Sequence, residues 1–321
     1  MNVLSLDAPL LALIWQAALA HCYHVRLMPG CYTALGLSVW FVYIADRTLD
    51  GFCKLETKML SARHSFYRRN RFFFAFVILP LLLALLVWIV LAEIPQGILY
   101  RGLVLGGFVG LYLLLYAVRW NKSFLLIGNV ITFVVVGLAL SIFPMSFSYR
   151  VLAGCALGAF FLLSPGRRFQ AGFNLLPKEI LCGYLFAVGC SLSVCFFTRD
   201  ASATPFSIET LLLALLCSLN CIAIACYERE MDSANDPDAI TQTWPQVIRV
   251  YPVLLLTLAA ISGVTLNQQL PREVFWFVMS ILISTGLLGA LHIFSKRLNP
   301  ELSHVLADAA LVTPLFLFAI H

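Results

Sequence analysis

Apolar stretches of roughly 20 residues recur from one end of this 321-residue chain to the other. An α-helix needs about 20 apolar residues to cross the hydrocarbon core of a bilayer, so this pattern is typical of a polytopic membrane protein. The composition agrees, because 61% of the residues are hydrophobic and 12% are charged, whereas soluble proteins carry about 25% charged residues. A transmembrane β-barrel would require alternation, and the run 72–91 does not alternate. The sequence therefore predicts an all-α transmembrane bundle.

Eleven of these stretches are predicted to be membrane spans, joined by short loops that often carry Pro or Gly. The predicted spans cover residues 8–24, 31–46, 72–92, 98–118, 123–143, 150–164, 179–198, 205–227, 247–266, 273–294 and 302–320. No segment between them is long or polar enough to be a separate soluble domain, so we predict one membrane domain over residues 1–321. Its main polar stretches are two acidic loops, at 46–71 and 228–245.

The positions of Lys and Arg predict how the bundle is oriented. Loops after even-numbered spans hold sixteen of the 21 Lys and Arg residues, and the remaining loops hold five. Since cytoplasmic loops are enriched in these residues, both acidic loops are predicted to face the cytoplasm. The net charge of +5 is explained by the same bias, and binding of nucleic acid is not expected.

The first acidic loop carries two aspartates with helical spacing. Asp46 and Asp50 are four residues apart, so they share one face of a helix. Two carboxylates so placed repel each other unless a cation lies between them, and oxygen ligands of this kind suit Mg²⁺, which also binds substrate phosphates. Arg47 and Lys54 lie beside them and could hold the rest of a diphosphate.

The second acidic loop repeats the spacing. Glu228, Asp232 and Asp236 follow one another at intervals of four, so a continuous helix would carry all three on one face, up to a predicted end or bend at Pro237. Asn220 lies two turns earlier on much the same face, inside the predicted span. Each loop alone could be a solvated helix end, but two such motifs on one side of a bundle favour a shared site.

These motifs resemble those of the UbiA superfamily of intramembrane prenyltransferases. The tract Ala-Asp-Arg-x-x-Asp-Gly-x-x-Lys at 45–54 resembles the first family motif, and Asp232 and Asp236 match the end of the second. Residues 176–183, which follow a basic pair in the preceding loop, resemble the family's middle loop. Val42 and Tyr43 stand where the family has Asn-Asp, and the family's usual nine spans compare with eleven here, so the range predicted is nine to eleven.

The resemblance implies transfer of an isoprenyl group from its diphosphate to a lipid-soluble, hydrophobic acceptor, of which an aromatic molecule is one option, with Mg²⁺ as the cofactor. The implied metal ligands and catalytic residues are Asp46, Asp50, Asp232 and Asp236. The implied substrate-binding residues are Arg47, Lys54, Asn220, Glu228, Arg167 and Arg168. The sequence identifies no general base for such a reaction.

Two other functions fit the same sequence. One is a non-catalytic UbiA-like membrane scaffold or lipid-binding subunit, and the other is a transporter that would use His304 and Asp308 as a coupling site. An intramembrane carboxylate is a functional candidate because it is costly there. Here, however, we expect His304 and Asp308 to form a structural pair away from the diphosphate.

Overall fold

The computed structural model describes residues 6–53, 62–117, 177–198, 204–236 and 239–316. Its α-helices are α1 (Asp7–Cys22), α2 (Pro29–Cys53), α3 (Ala62–Arg69), α4 (Arg71–Phe73), α5 (Leu79–Glu93), α6 (Gln96–Ala117), α7 (Lys178–Phe197), α8 (Ile208–Tyr227), α9 (Arg229–Asn235), α10 (Ile240–Thr243), α11 (Val247–Leu266), α12 (Arg272–Phe294) and α13 (Pro300–Ala309). A π-helical turn, Phe74–Ile78, joins α4 to α5. The described part of the chain contains no strand, so the predicted all-α class is confirmed.

Six helical segments within the described ranges are long and apolar enough to cross a membrane. They are Arg71–Glu93, Gln96–Leu113, Lys178–Phe197, Ile208–Tyr227, Val247–Leu266 and Arg272–Phe294. The chain is thus a polytopic helical bundle. The predicted spans 123–143 and 150–164 lie outside the described residues.

Helix α8 is the centre of the bundle and packs against α7, α11, α12 and α13. Leu212, Leu213 and Leu216 on this helix are fully buried. Helix α7 approaches α8 closely because Gly183 has no side chain: a Cβ there would lie 2.7 Å from Cα of Ser218. Small residues at helix contacts permit this kind of approach in membrane proteins.

Gly183→Ala is therefore expected to push α7 and α8 apart and to destabilise the bundle by about 1–3 kcal/mol, the usual cost of overpacking. Gly263→Ala in α11 is the matched control, because a Cβ at Gly263 would meet nothing within 4 Å. Thermal unfolding in detergent should show a lower midpoint for the first variant alone. Equal midpoints for the two variants would show that this close packing is not required.

Helix α2 extends beyond its predicted span, 31–46, and runs to Cys53. Asp46 and Asp50 therefore lie on one continuous helix, as the spacing predicted. The neighbouring positions Ile44, Ala45 and Thr48 are buried against the bundle.

The last predicted span, 302–320, is not one continuous helix. Helix α13 ends at Ala309, and helical structure resumes only at Pro314. Proline has no backbone N–H for the carbonyl four residues earlier and disfavours helical backbone at the preceding residue, which explains the break. The start of α13 is capped by Asn299, whose Oδ1 accepts a hydrogen bond of 3.1 Å from the Glu301 N–H.

The three carboxylates of the second motif lie on the short helix α9 and its two ends, not on a continuation of α8. Backbone hydrogen bonds from the Asp232 N–H to the Glu228 carbonyl, at 2.9 Å, and from the Asp236 N–H to the Asp232 carbonyl, at 2.8 Å, keep their spacing of one turn. Helix α8 ends at Tyr227, and Glu228 lies at a junction with φ −93° and ψ 9° before α9 begins. Asp236 leaves the helical conformation at φ −139° and ψ 78°. Pro237 accounts for this last change, because the residue before a proline is driven out of the α region.

Candidate functional site

The charged residues of both acidic motifs lie at one end of the bundle. Helices α2 and α8 end there, and α7 and α13 begin there. We call this group the acidic cluster and define it by residues Asp46, Arg47, Asp50, Lys178, Glu179, Asn220, Glu228, Asp232, Asp236, His304 and Asp308.

Arg47 connects the two motifs. Its guanidinium interacts electrostatically with Asp46 and Asp50 of its own helix and with Glu228 at the end of α8. The positive charge expected between the two aspartates is therefore supplied in part by the protein. This electrostatic interaction links Glu228 to Asp46 and Asp50, as a shared site requires.

A polar chain extends from Glu228 into the bundle. Glu228 Oε1 lies 3.1 Å from His304 Nδ1, and His304 Nε2 lies 3.6 Å from Asp308 Oδ2. Asp308 Oδ1 accepts a hydrogen bond of 3.0 Å from Asn220 Nδ2. The predicted convergence of Asn220 and Glu228 on one site is thus observed, while the expectation that His304 and Asp308 lie elsewhere is wrong. Helix α13 packs against α8, and this contact could not be inferred from positions so far apart in sequence.

The last carboxylates of the second motif face a different helix end. Asp236 pairs with Lys178, the first residue of α7, and Lys178 also interacts electrostatically with Asp232. Next to it the buried Glu179 accepts a hydrogen bond of 3.0 Å from the Ile240 N–H. These contacts hold Asp236 and the start of α10 against α7. Asp232 and Asp236 therefore adjoin Lys178 and Glu179.

The pair of Lys178 and Asp236 gives a prediction for stability. Both side chains are about four-fifths buried, at 19% and 22% exposure, so Lys178→Met should destabilise the bundle by about 1–3 kcal/mol, less than the ~3–5 kcal/mol for a fully buried broken pair. The double variant Lys178→Met with Asp236→Asn should recover part of this loss. Thermal unfolding of the two single variants and the double variant measures the coupling energy between Lys178 and Asp236. If the stability losses of the single variants simply added in the double variant, the two side chains would not be coupled.

Aromatic and thiol side chains line the cluster on its bundle side. Tyr43 interacts electrostatically with Arg47 and Asp308. The Cys182 thiol contacts the thiol of Cys221 and the hydroxyl of Tyr112. Charged groups at the end of the bundle are thus followed by weakly polar ones toward its interior.

Basic residues lie beside the first motif. Helix α3 packs against the end of α2, where a Cβ on Gly51 would lie 3.4 Å from Cα of Arg68. Arg71 Nη1 donates a hydrogen bond of 3.4 Å to the Gly51 carbonyl, and its guanidinium lies over the Phe52 ring, 5.2 Å from the centroid. An open cleft here is lined by Ser65, Arg68, Arg69, Arg71 and Phe72. This cationic surface is suited to an anion approaching the first motif.

The remaining predicted site residues, Lys54, Arg167 and Arg168, lie outside the described residues. Lys178 and Glu179 were not among the predicted site residues, and His304 and Asp308 were predicted only as the coupling site of a transporter. A signal was present for His304 and Asp308, since two titratable residues four apart in an apolar segment are unusual. For Lys178 and Glu179 the signal was weaker, because charges at the start of a helix are common.

The donor set of the cluster fits a magnesium ion only in part. In the described ranges, no three His, Cys, Asp or Glu side chains are arranged as a metal site. Magnesium, however, is commonly held by one or two carboxylates, with water and substrate phosphates completing its coordination. Asp46 and Asp50 on one helix face supply such a pair. The fit is thus to a metal that binds together with a phosphorylated ligand.

Comparison of the chain with protein family models, curated proteins and solved structures gave no match. The class is defined by the fold and the composition: the chain is a multi-pass integral membrane protein with an all-α bundle.

Proposed function

We propose that this protein is a UbiA-like intramembrane prenyltransferase, which transfers an isoprenyl group from its diphosphate to a lipid-soluble acceptor. The observation that carries the proposal is the electrostatic interaction of Arg47 with Asp46 and Asp50 on one side and with Glu228 on the other. It joins both acidic motifs in one charged site at the end of an apolar bundle. A prenyl diphosphate has the matching polarity, with a charged head for the cluster and an apolar chain for the interior or the lipid.

The residues have separate roles in this proposal. Asp46 and Asp50 would hold Mg²⁺, whose bound form stabilises negative charge on a leaving diphosphate. Arg47 positions these carboxylates, and Arg68 and Arg69 of the neighbouring cleft attract the diphosphate. The aromatic rings near the cluster can shield an allylic cation from water through cation–π attraction.

The charge balance supports binding of a cation. The acidic cluster contains seven carboxylates, Asp46, Asp50, Glu179, Glu228, Asp232, Asp236 and Asp308, beside Arg47 and Lys178. A partly buried excess of one sign is costly because desolvation weakens the hydration of each charge. A bound divalent cation reduces this cost, and the diphosphate that accompanies it is then held by the basic residues.

Turnover tests the proposal. Purified protein in lipid nanodiscs should release diphosphate from farnesyl or geranylgeranyl diphosphate when Mg²⁺ and a lipid-soluble hydroxyl acceptor, such as an alkylphenol, are present, and a prenylated product should form. The Asp46→Asn variant is the inactive control. Tight diphosphate binding without product, over a panel of acceptors, would favour the scaffold function instead.

We propose that the acidic cluster lies at the cytoplasmic end of the bundle, because Lys and Arg are concentrated in the loops on that side. A cysteine at the exposed Ser233 should then react with a membrane-impermeant maleimide in inside-out vesicles and not in right-side-out vesicles. The parent protein, with its native cysteines, is the control for background labelling. Labelling of Ser233→Cys from the outside would reverse the orientation.

A further inference from the structure

The buried amide of Asn220 has an acceptor for which the described residues supply no donor. Asn220 is 6% exposed, and its Nδ2 donates to Asp308. Its Oδ1 is buried and has no hydrogen-bond partner in the described part of the chain. Buried side-chain carbonyls without a partner are rare in native proteins, so this oxygen calls for a donor.

The atoms around this carbonyl define what the missing group must be. Next to it lies the carboxylate of Asp308, and an ionised carboxylate can only accept. Asn220 Oδ1 calls for a donor that this carboxylate does not supply, and a neutral hydroxyl is the donor that a lipid-soluble molecule brings into an apolar bundle. Tyr43 interacts with both Asp308 and Arg47, so the position adjoins the first motif.

His304 is arranged to take a proton from this position. An ionised Glu228 accepts a hydrogen bond from His304 Nδ1, which places the hydrogen on that nitrogen and leaves the lone pair on Nε2. His304 Nε2 lies 3.6 Å from Asp308 Oδ2, so it can take up a proton that this carboxylate receives. An imidazolium formed there lies between two carboxylates, which stabilise its charge. In Ser-His-Asp enzymes, a carboxylate that accepts a hydrogen bond from Nδ1–H likewise fixes the tautomer and orientation of the histidine base.

We propose that Asn220 and Asp308 bind the hydroxyl group of the acceptor and that His304 receives its proton; this rests on the prenyl transfer proposed above. In the step, the acceptor O–H bond breaks and its proton passes by way of Asp308 to His304 Nε2. The oxygen electron pair forms a bond to the first carbon of the prenyl chain. The bond from that carbon to the diphosphate oxygen breaks, and its electron pair leaves with the diphosphate.

Binding of a hydroxyl can be tested without diphosphate. The probes are para-hexylphenol and its methyl ether, para-hexylanisole, which has the same ring and chain but no donor. The parent should bind the phenol at least about tenfold more tightly than the ether, as one buried hydrogen bond provides. Asn220→Leu should reduce this ratio to about twofold or less. Gln16→Leu, which removes a buried amide of α1 outside the acidic cluster, should leave the ratio unchanged.

Equal affinity for phenol and ether in the parent, or an unchanged ratio in Asn220→Leu, would overturn the hydroxyl site. If Asn220→Leu does not fold, Asp308→Asn provides the same comparison, because it neutralises the second acceptor. These outcomes do not depend on diphosphate binding, so they separate failure of the hydroxyl site from failure of the proposed function.

The role of His304 is tested by turnover. His304→Gln should lower kcat roughly 100-fold, the range of general base catalysis, while Mg²⁺-dependent diphosphate binding and the phenol-to-ether ratio stay within about twofold of the parent. An unchanged kcat, or a loss of diphosphate binding equal to the loss of kcat, would overturn the proton transfer to His304.

Discussion

Asp50→Asn is expected to lower the affinity for farnesyl diphosphate in the presence of Mg²⁺ by roughly 100-fold, because it removes one of two carboxylates that share a helix face. The substitution keeps the size and shape of the side chain, so the loss reports on charge. In EDTA the parent and the variant should bind equally weakly. Equilibrium binding of the radiolabelled diphosphate to protein in nanodiscs measures both affinities.

Glu273→Gln is the matched control for this prediction. Glu273 lies in the first turn of α12, at the opposite end of that helix from α13, where it pairs with His24 at 3.7 Å. Removing its charge should leave diphosphate affinity within about twofold of the parent. Equal losses for Asp50→Asn and Glu273→Gln would show that net charge, and not the first motif, determines binding.

Arg47→Met is expected to have the largest effect on stability. It removes the cation that Asp46, Asp50 and Glu228 share, and the loss of one partner from a largely buried charged group costs about 3–5 kcal/mol. We expect a marked fall in the thermal midpoint and in the yield of folded protein. Arg47→Lys should retain part of the stability, since it keeps the charge but not the planar donor geometry.

A second substitution tests whether the loss of stability comes from the interaction of Arg47 with Glu228. Glu228→Gln combined with Arg47→Met should be less destabilised than the sum of the single variants, because one excess carboxylate is gone. The parent, both single variants and the double variant complete the cycle. If Arg47→Met were as stable as the parent, the two motifs would not depend on Arg47.

The class of the fold was predictable because the bilayer imposes a simple length rule. Runs such as 72–91 and 273–294 are long and apolar, and a spanning segment must satisfy its backbone hydrogen bonds internally. Breaks within a span are harder to predict. The end of α13 at Ala309 depends on Pro314, which lies inside the predicted span 302–320.

The candidate site was predictable only in its local parts. The spacing of Asp46 and Asp50 was sufficient to place them on one helix face, because that relation is internal to α2. The contact of His304 with Glu228 depends on how α13 packs against α8, and no local pattern encodes it. The pairing of Asp236 with Lys178 likewise depends on how distant parts of the chain pack together, and no local pattern encodes it.

The most direct measurement of the central claim is the binding of farnesyl diphosphate to the purified parent protein with Mg²⁺ and with EDTA. If the acidic cluster is a site for a magnesium diphosphate, binding should saturate in Mg²⁺, and a ligand concentration 100 times Kd should stabilise the fold by about 2.7 kcal/mol. In EDTA both effects should disappear. Binding of the same strength with and without Mg²⁺, or no saturable binding under either condition, would contradict the account.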